Sequence, residues 1–438
     1  MDDRTVRAWV MYDWANSAFA TTVMATVMPI FFFDVAARNL GATKATAYWG
    51  YTQSLALVLI VLLSPVLGAI ADAGRFKRRF LLWFTWIGIA SSLLMATIES
   101  GEWLWASILV IFGTLGFSGG NVFYDAFLSD VVPENERDRI SARGYAFGYI
   151  GGGILLALNL AIITFHDMLG ITTLAATQAS LFSVGIWWWL FSLPLFHHVH
   201  DRPLSGRPPT PAKRLAMEGF RTVWQTLRSL HRYPEMLKFL IAFWFFSDGI
   251  NTIIKMATIY GREIGIGQTD LIAALLITQF VGIPFTLLFG RLADRFGPMP
   301  SLIGSLVIYL IIVMLGYFMS TALHFYILAI LVGCVQGGSQ ALSRSIFSRL
   351  VPIHRNAEFF GFFGLSGKFA AVFGPAVFGL VGQWFGSSRM GILSIAMFFL
   401  VGILLLFAVD LEKGKTEAQT AEREAPAIPT TESPSAPI

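Results

Sequence analysis

A chain of 438 residues that is 55% apolar and only 13% charged, with 39 phenylalanines and a mean hydropathy of +0.65, carries too little polar surface for a water-soluble globule. Its net charge of +4 and pI near 9.2 come from basic residues gathered in loops, which makes the charge a topology signal and excludes nucleic acid as a partner. The single cysteine, Cys334, sits in an apolar run, so there is no disulfide framework.

Apolar runs able to cross a hydrocarbon layer about 30 Å thick, about 20 residues each, fall at 9–33, 47–71, 80–98, 103–129, 143–165, 174–196, 236–260, 269–291, 301–320, 323–347, 358–384 and 390–409. The runs are continuous rather than alternating, which excludes barrel strands. The expected fold is an all-α membrane protein of twelve transmembrane helices in two six-helix halves.

In chain order, the first run opens MYDWANSAFATTV and is too long, and too polar at Asp13 and Asn16, for a cleavable signal peptide. The second runs into SPVLGAIADAGRFKRR, where Gly68 would let two helices approach closely and Asp72 would accept hydrogen bonds at a turn or helix start. The basic cluster beginning at Arg75 would anchor on anionic lipid. In the fourth run, GFSGG at 116–120 matches the nucleophile string of hydrolases, but it lies inside an apolar helix and lacks the strand and sharp turn that such chemistry needs. No enzyme is expected. In the fifth, Gly144, Gly148 and Gly152 recur every four residues, a spacing for close backbone packing.

The one long internal polar stretch is 197–235. His197, His198 and His200 stand beside prolines there and read as solvated, with no metal site expected. Beyond them Ala216, Phe220, Val223, Trp224, Leu227 and Leu230 recur at three- and four-residue steps against Arg214, Glu218, Arg221, Gln225 and Arg228, the pattern of an amphipathic helix on the inner leaflet. The tail from 411, ending EAPAIPTTESPSAPI, reads as disordered. The domains are therefore 1–196, a 197–235 linker, 236–410 and a 411–438 tail. Lys and Arg positions put both termini and the linker in the cytoplasm, and for a bacterial chain the membrane would be the cell's inner membrane.

The second half repeats the first. YDWAN at 12–16 corresponds to FSDGIN at 246–251, so Asp13 and Asn16 match Asp248 and Asn251. Gly68 and Asp72 match Gly290 and Asp294, each pair 222 residues apart, with Arg295 next in the second copy. Asp125 and Arg344 correspond at a spacing of 219, shared with Pro133 and Pro352. Six spans repeated in parallel order are the way secondary transporters build alternating access.

The loop GAIADAGRFKRR and its copy GRLADRFG resemble the signature loop of the major facilitator superfamily. YDWANSAFATTV, RGYAFGYIGGGILLALNL, TQFVGIPFTLLFGRLADR, VQGGSQALSRSIF and EFFGFFGLSGKFA narrow the resemblance to its vacuole-effluxer branch, over nearly the whole chain outside the linker and tail. That resemblance implies a twelve-helix exporter-like carrier, whose fungal members are linked to release of amino acids from the vacuole. The glycine-proline motif that antiporters often carry in span five is missing, and Gly374 and Pro375 stand in span eleven instead.

Six charges fall three or more residues inside the spans: Asp13, Asp125, Asp248, Lys255, Arg344 and Lys368. Charge at membrane depth is costly and marks function. Asp248, near the middle of its span, is the leading candidate for a substrate-ammonium or proton site. Asp13, shallower, would serve a gate or a helix contact, or join the substrate or proton site, and Asp125 and Arg344 would pair across the cytoplasmic half of the cavity. Asn16, Asn251 and Gln340 add neutral hydrogen bonds. The expected function is secondary active or facilitative transport of a small organic solute such as an amino acid, by a monomer, with protons as candidate coupling ion and no cofactor. A non-transporting sensor or scaffold on the same fold is the alternative.

Overall fold

The computed structural model describes residues 3–72, 77–132, 137–200, 212–352 and 355–424. Among them, twelve helices are long and apolar enough to cross a membrane: spans one to six at Asp3–Ala36, Ala42–Gly68, Lys77–Thr97, Trp103–Leu128, Ala146–Thr164 and Thr173–His198, and spans seven to twelve at Pro234–Glu263, Gln268–Phe296, Pro298–Tyr317, Ala322–Leu350, Phe362–Phe385 and Ser388–Phe407. Each overlaps one of the apolar runs, and the described residues contain no strand. Pro133, residues 201–211 of the linker and 425–438 of the tail lie outside the described residues.

The halves are built alike. Span one packs on five and six, span four on two and three, and span three on six; the second half repeats this with seven on eleven and twelve, ten on eight and nine, and nine on twelve. Spans two and eleven meet across the halves, as do five and eight. The two contacts are one contact under the repeat, as a two-fold axis between the halves requires.

Span three ends in a 3-10 turn, Met95–Thr97, and two spans depart from plain α-helix within their length, both near prolines. Pro29 has no N–H to offer the Ala25 carbonyl one turn back, and that oxygen accepts instead from the Thr258 hydroxyl of span seven at 2.6 Å. On either side of this point, Phe19–Thr26 and Phe32–Ala36 wind as π-helix, with the Val27 N–H bonded five residues back to the Thr22 carbonyl. Span eleven is broken: helix Asn356–Ala370 stops, and Phe373–Phe385 restarts with Pro375 in its first turn, where a missing N–H costs nothing.

The tail corrects its sequence reading. Leu411–Glu424 is a helix, not disordered chain. It is held by Glu235 at the foot of span seven, which is buried and accepts from the Asp410 N–H at 2.9 Å, Lys238 at 2.9 Å and Lys413 at 3.2 Å. Ala418 is buried and Gly414 lies against Leu350 of span ten. Composition alone argued for disorder because one buried carboxylate, the partner that fixes this helix, lies far away in the chain.

Candidate functional site

Distal to the termini, the halves are bolted together. Arg262 Nε of span seven donates to both carboxylate oxygens of Asp34 in span one, at 2.7 and 2.8 Å. Thr43 and Thr46 of span two donate to Glu263, Tyr51 to Gln383 at 2.9 Å, and Gln268 to Thr177 at 3.3 Å. Deeper in, the Trp49 indole donates to the Lys255 carbonyl at 3.0 Å. A β-carbon on Gly379 would lie 3.0 Å from the Ala47 carbonyl oxygen, so spans two and eleven are in backbone contact here.

Beneath this seal is a chamber of about 110 Å³, lined by apolar residues such as Ile253, Met256, Leu328 and Phe378 and by Thr21, Thr26, Gln279 and Gln336. An apolar cavity of comparable size holds a benzene-sized guest. Gln336, Gln340 and Arg344 follow one another at four-residue steps on span ten, so Arg344 lies about 12 Å nearer the termini than the chamber wall. Gln340, Arg344 and, from span four, Asp125 are exposed. The cavity is therefore shut on the distal side and open on the terminal side.

Asp125, Arg344 and Lys368 are the charges of this opening. The positive charges that act on Asp125 are Lys368 first and Arg344 second. Among the described residues none of the three forms a hydrogen bond or an ion pair with another. Lys368 lies in the last turn of its helix, where carbonyls favour a cation. Its approach to Asp125 went unforeseen, because the repeat pairs Asp125 with Arg344 and offers no counterpart for Lys368.

Asp13 borders the same opening but is held by its neighbours. Tyr124, beside Asp125 on span four, donates to Asp13 Oδ2 at 2.8 Å, and Trp9 stacks on Tyr124 with centroids 4.4 Å apart while its indole donates to the Tyr124 carbonyl. Asn16 is buried and donates to Asn121 at 2.7 Å. The span-five glycines lie under this cluster: a β-carbon on Gly144 would lie 2.5 Å from Asp13 Oδ2, one on Gly148 2.5 Å from Ser17 Oγ, and one on Gly152 3.0 Å from the Ser17 carbonyl oxygen. The DWAN stretch thus locks span one to spans four and five.

Asp248 is not in the opening. It is 2% exposed and accepts from the Gly374 N–H at 2.9 Å, capping the second helix of span eleven from outside the chain segment. The arrangement mirrors Asp13: in each half an acid of the first span meets a glycine of the fifth. Lys255, two turns on and 6% exposed, has Asp248 as the charge that acts on it. Asn251 turns back on its own helix, donating to Ser247. The leading sequence candidate is thus buried in this state, because the start of the second helix of span eleven packs against it.

The loop motif also differs from expectation. A β-carbon on Gly68 or Gly290 would meet nothing within 4 Å, so neither glycine permits a close helix contact here. The glycine the turn requires is Gly297, whose φ of +89° ends span eight. Asp72 closes the helix of span two, but its side chain and all of Arg75 lie outside the described residues. Asp294 and Arg295 are exposed, Arg295 lying over the Phe296 ring. The basic cluster is partly turned inward rather than toward lipid: Lys77 pairs with Asp130 at 2.9 Å and Arg78 donates to the Phe196 carbonyl at 2.6 Å.

Twelve spans in two repeated halves around a cavity open to one side are the fold of a major facilitator. Solved structures agree: a D-xylose-proton symporter superposes with a TM-score of 0.71 at 17% identity, over 94% of this chain and 99% of that one. The MFS-type transporter YxiO of Bacillus subtilis (strain 168) is 39% identical over 422 residues, covering 96% of this chain and 97% of the relative. Autophagy-related protein 22 of Kluyveromyces lactis is 25% identical over 404 residues, 84% of this chain and 80% of the relative. The model of the family described as "Vacuole effluxer Atg22 like" matches residues 39–419. The chain is a membrane transporter of the MFS type, and it belongs to the Atg22-like vacuole effluxer family.

Proposed function

We propose that this transporter exports a small zwitterion, an amino acid or close analogue, by alternating access. The observation that carries the reading is the unpaired trio of Asp125, Lys368 and Arg344 in the open cavity. A solute carboxylate matches the guanidinium fork of Arg344 and the Lys368 ammonium, while a solute ammonium matches Asp125 with Asp13 behind it. Gln340 supplies a neutral hydrogen bond on the same line, and the apolar chamber beyond suits a side chain. Membership of an effluxer family supports export.

In this reading residues 1–196 and 236–410 rock against each other, joined by 197–235, and the termini lie in the cytoplasm, so the state described is inward-open. Asp248 and Lys255, sealed now, come within reach of water when the distal bonds break, which makes them the candidate site of a coupling proton. The protein works as a monomer, in the inner membrane of a bacterium.

The test is flux into proteoliposomes holding the purified protein, screened with labelled amino acids, sugars and drug-like cations, with and without an imposed pH gradient. Amino-acid flux that Arg344→Ala abolishes is the expected result. Flux of an uncharged sugar unaffected by Arg344→Ala would overturn the zwitterion. No flux of any solute would leave the sensor or scaffold reading.

A further inference from the structure

The linker helix Ala212–Ser229 carries a surface that transport does not explain. Its sequence places six apolar residues on one side; the Ala216 side chain lies outside the described residues, and the structure divides the other five. Val223 and Leu230, with Gly219 and Thr226, turn toward the protein, where the helix packs along the terminal-side end of span two and touches span eleven. Met217, Phe220, Trp224 and Leu227 form a second stripe that is exposed throughout, Trp224 to 65%.

The stripe's neighbours indicate what covers it. At 3.6 residues per turn, exposed Arg228 and Arg221 follow Trp224 around the helix within about 60°, on the side away from the protein. Residues 212–232 hold five lysines and arginines against one acid. Depth is fixed as well: one turn, Leu230–Arg232, joins the helix to Pro234, the first residue of a membrane span, so the helix lies where headgroups begin. An apolar stripe bordered by arginines at that depth is complementary to acyl chains on one edge and to negative headgroups on the next. Its border of fixed positive charge distinguishes it from a lipid-facing span, which has none.

We propose that this helix is a docking surface for anionic lipid, with Trp224 among the acyl chains and Arg221 and Arg228 on the headgroups. Packed on span two of one half and joined to span seven of the other, it ties the junction of the halves to the charge of the leaflet.

The full-length protein would be reconstituted in mixed phosphatidylcholine and phosphatidylglycerol vesicles of one composition, with brominated chains on either lipid in turn. Trp224 emission is taken as the difference between the wild type and Trp224→Phe. Quenching of that emission about twofold or more stronger by brominated phosphatidylglycerol is expected, with the preference lost in the Arg221→Gln/Arg228→Gln double variant while Tm holds. Equal quenching by the two lipids in the wild type would overturn the charge preference. No quenching by either, with Trp224 also shielded from aqueous iodide, would mean that protein covers the stripe and would overturn the proposal outright.

Discussion

Lys255 is buried with Asp248 as its counter-charge and Asp248 in turn holds the Gly374 N–H, so two functions rest on one carboxylate. Asparagine at 248 keeps a carbonyl oxygen for Gly374 but removes the negative charge. Asp248→Asn weakens the charged hydrogen bond to Gly374 and leaves Lys255 without its nearest negative charge, and should lower stability by about 1–3 kcal/mol in detergent unfolding. Adding Lys255→Met should restore most of it. A double variant no more stable than the single would show that the two charges do not act as a pair. These charges were legible from the sequence because ionised residues inside apolar runs stand out. Their partners were not: Gly374 and Tyr124 carry no charge, and only folding brings them within hydrogen-bond reach of Asp248 and Asp13.

Helices supply the next scale, where periodicity carried most of the information. All twelve spans follow from run length, and the two-fold pattern of their packing follows from the repeat. What periodicity missed were the breaks. Span eleven reads as one apolar run because Ala371 and Val372, which interrupt it, are as apolar as the helices they separate. The glycines of the loop motif give a prediction of their own. Gly297→Ala forces a side chain into a backbone conformation, φ +89° and ψ +155°, that essentially only glycine adopts, and should cost about 1–3 kcal/mol. Gly290→Ala, in mid-helix with open space beside it, should be neutral or stabilising by up to about 1 kcal/mol in thermal unfolding. If Gly290 serves the state in which the terminal side is closed, flux through Gly290→Ala should nonetheless slow. Unchanged flux would show that neither state uses the missing side chain.

Across the whole molecule, the Asp34 to Arg262 bond stands out as the charged contact of the distal seal. Neither residue was singled out in the sequence, since each falls at the end of an apolar run and reads as loop charge. Hydrogen bonds to a charged group contribute about 1.5–3 kcal/mol, so Arg262→Gln should raise distal-side labelling of an Ala25→Cys probe, in a Cys334→Ser background, by about tenfold or more. Labelling at the wild-type rate would mean that the seal rests on apolar packing alone. On the terminal side, either Asp125→Arg or Arg344→Asp should abolish flux by gathering like charges where the opening must close. The double exchange should recover a measurable part, seen as a nonzero coupling energy. Rescue would show that Arg344 meets Asp125 when the opening closes as well as serving the solute carboxylate; a double variant as inactive as the singles would leave Arg344 with the solute alone.

Span one holds Asp13 near one end and Asp34 near the other, with the π-helical stretch Phe19–Thr26 between them and a second one, Phe32–Ala36, around Asp34 itself. Each such stretch stores surplus winding within a helix that still satisfies its backbone. Were one residue of that surplus taken up into ordinary α-turns, everything beyond it would swivel by about 100° and shift by only about 1.5 Å along the axis, without breaking the span. Because the DWAN stretch locks the terminal half of span one to spans four and five, the turn would fall to the distal half, with Asp34, once its bond to Arg262 opens. Span one would work less as a lever than as a clutch, passing rotation to one face of the membrane at a time.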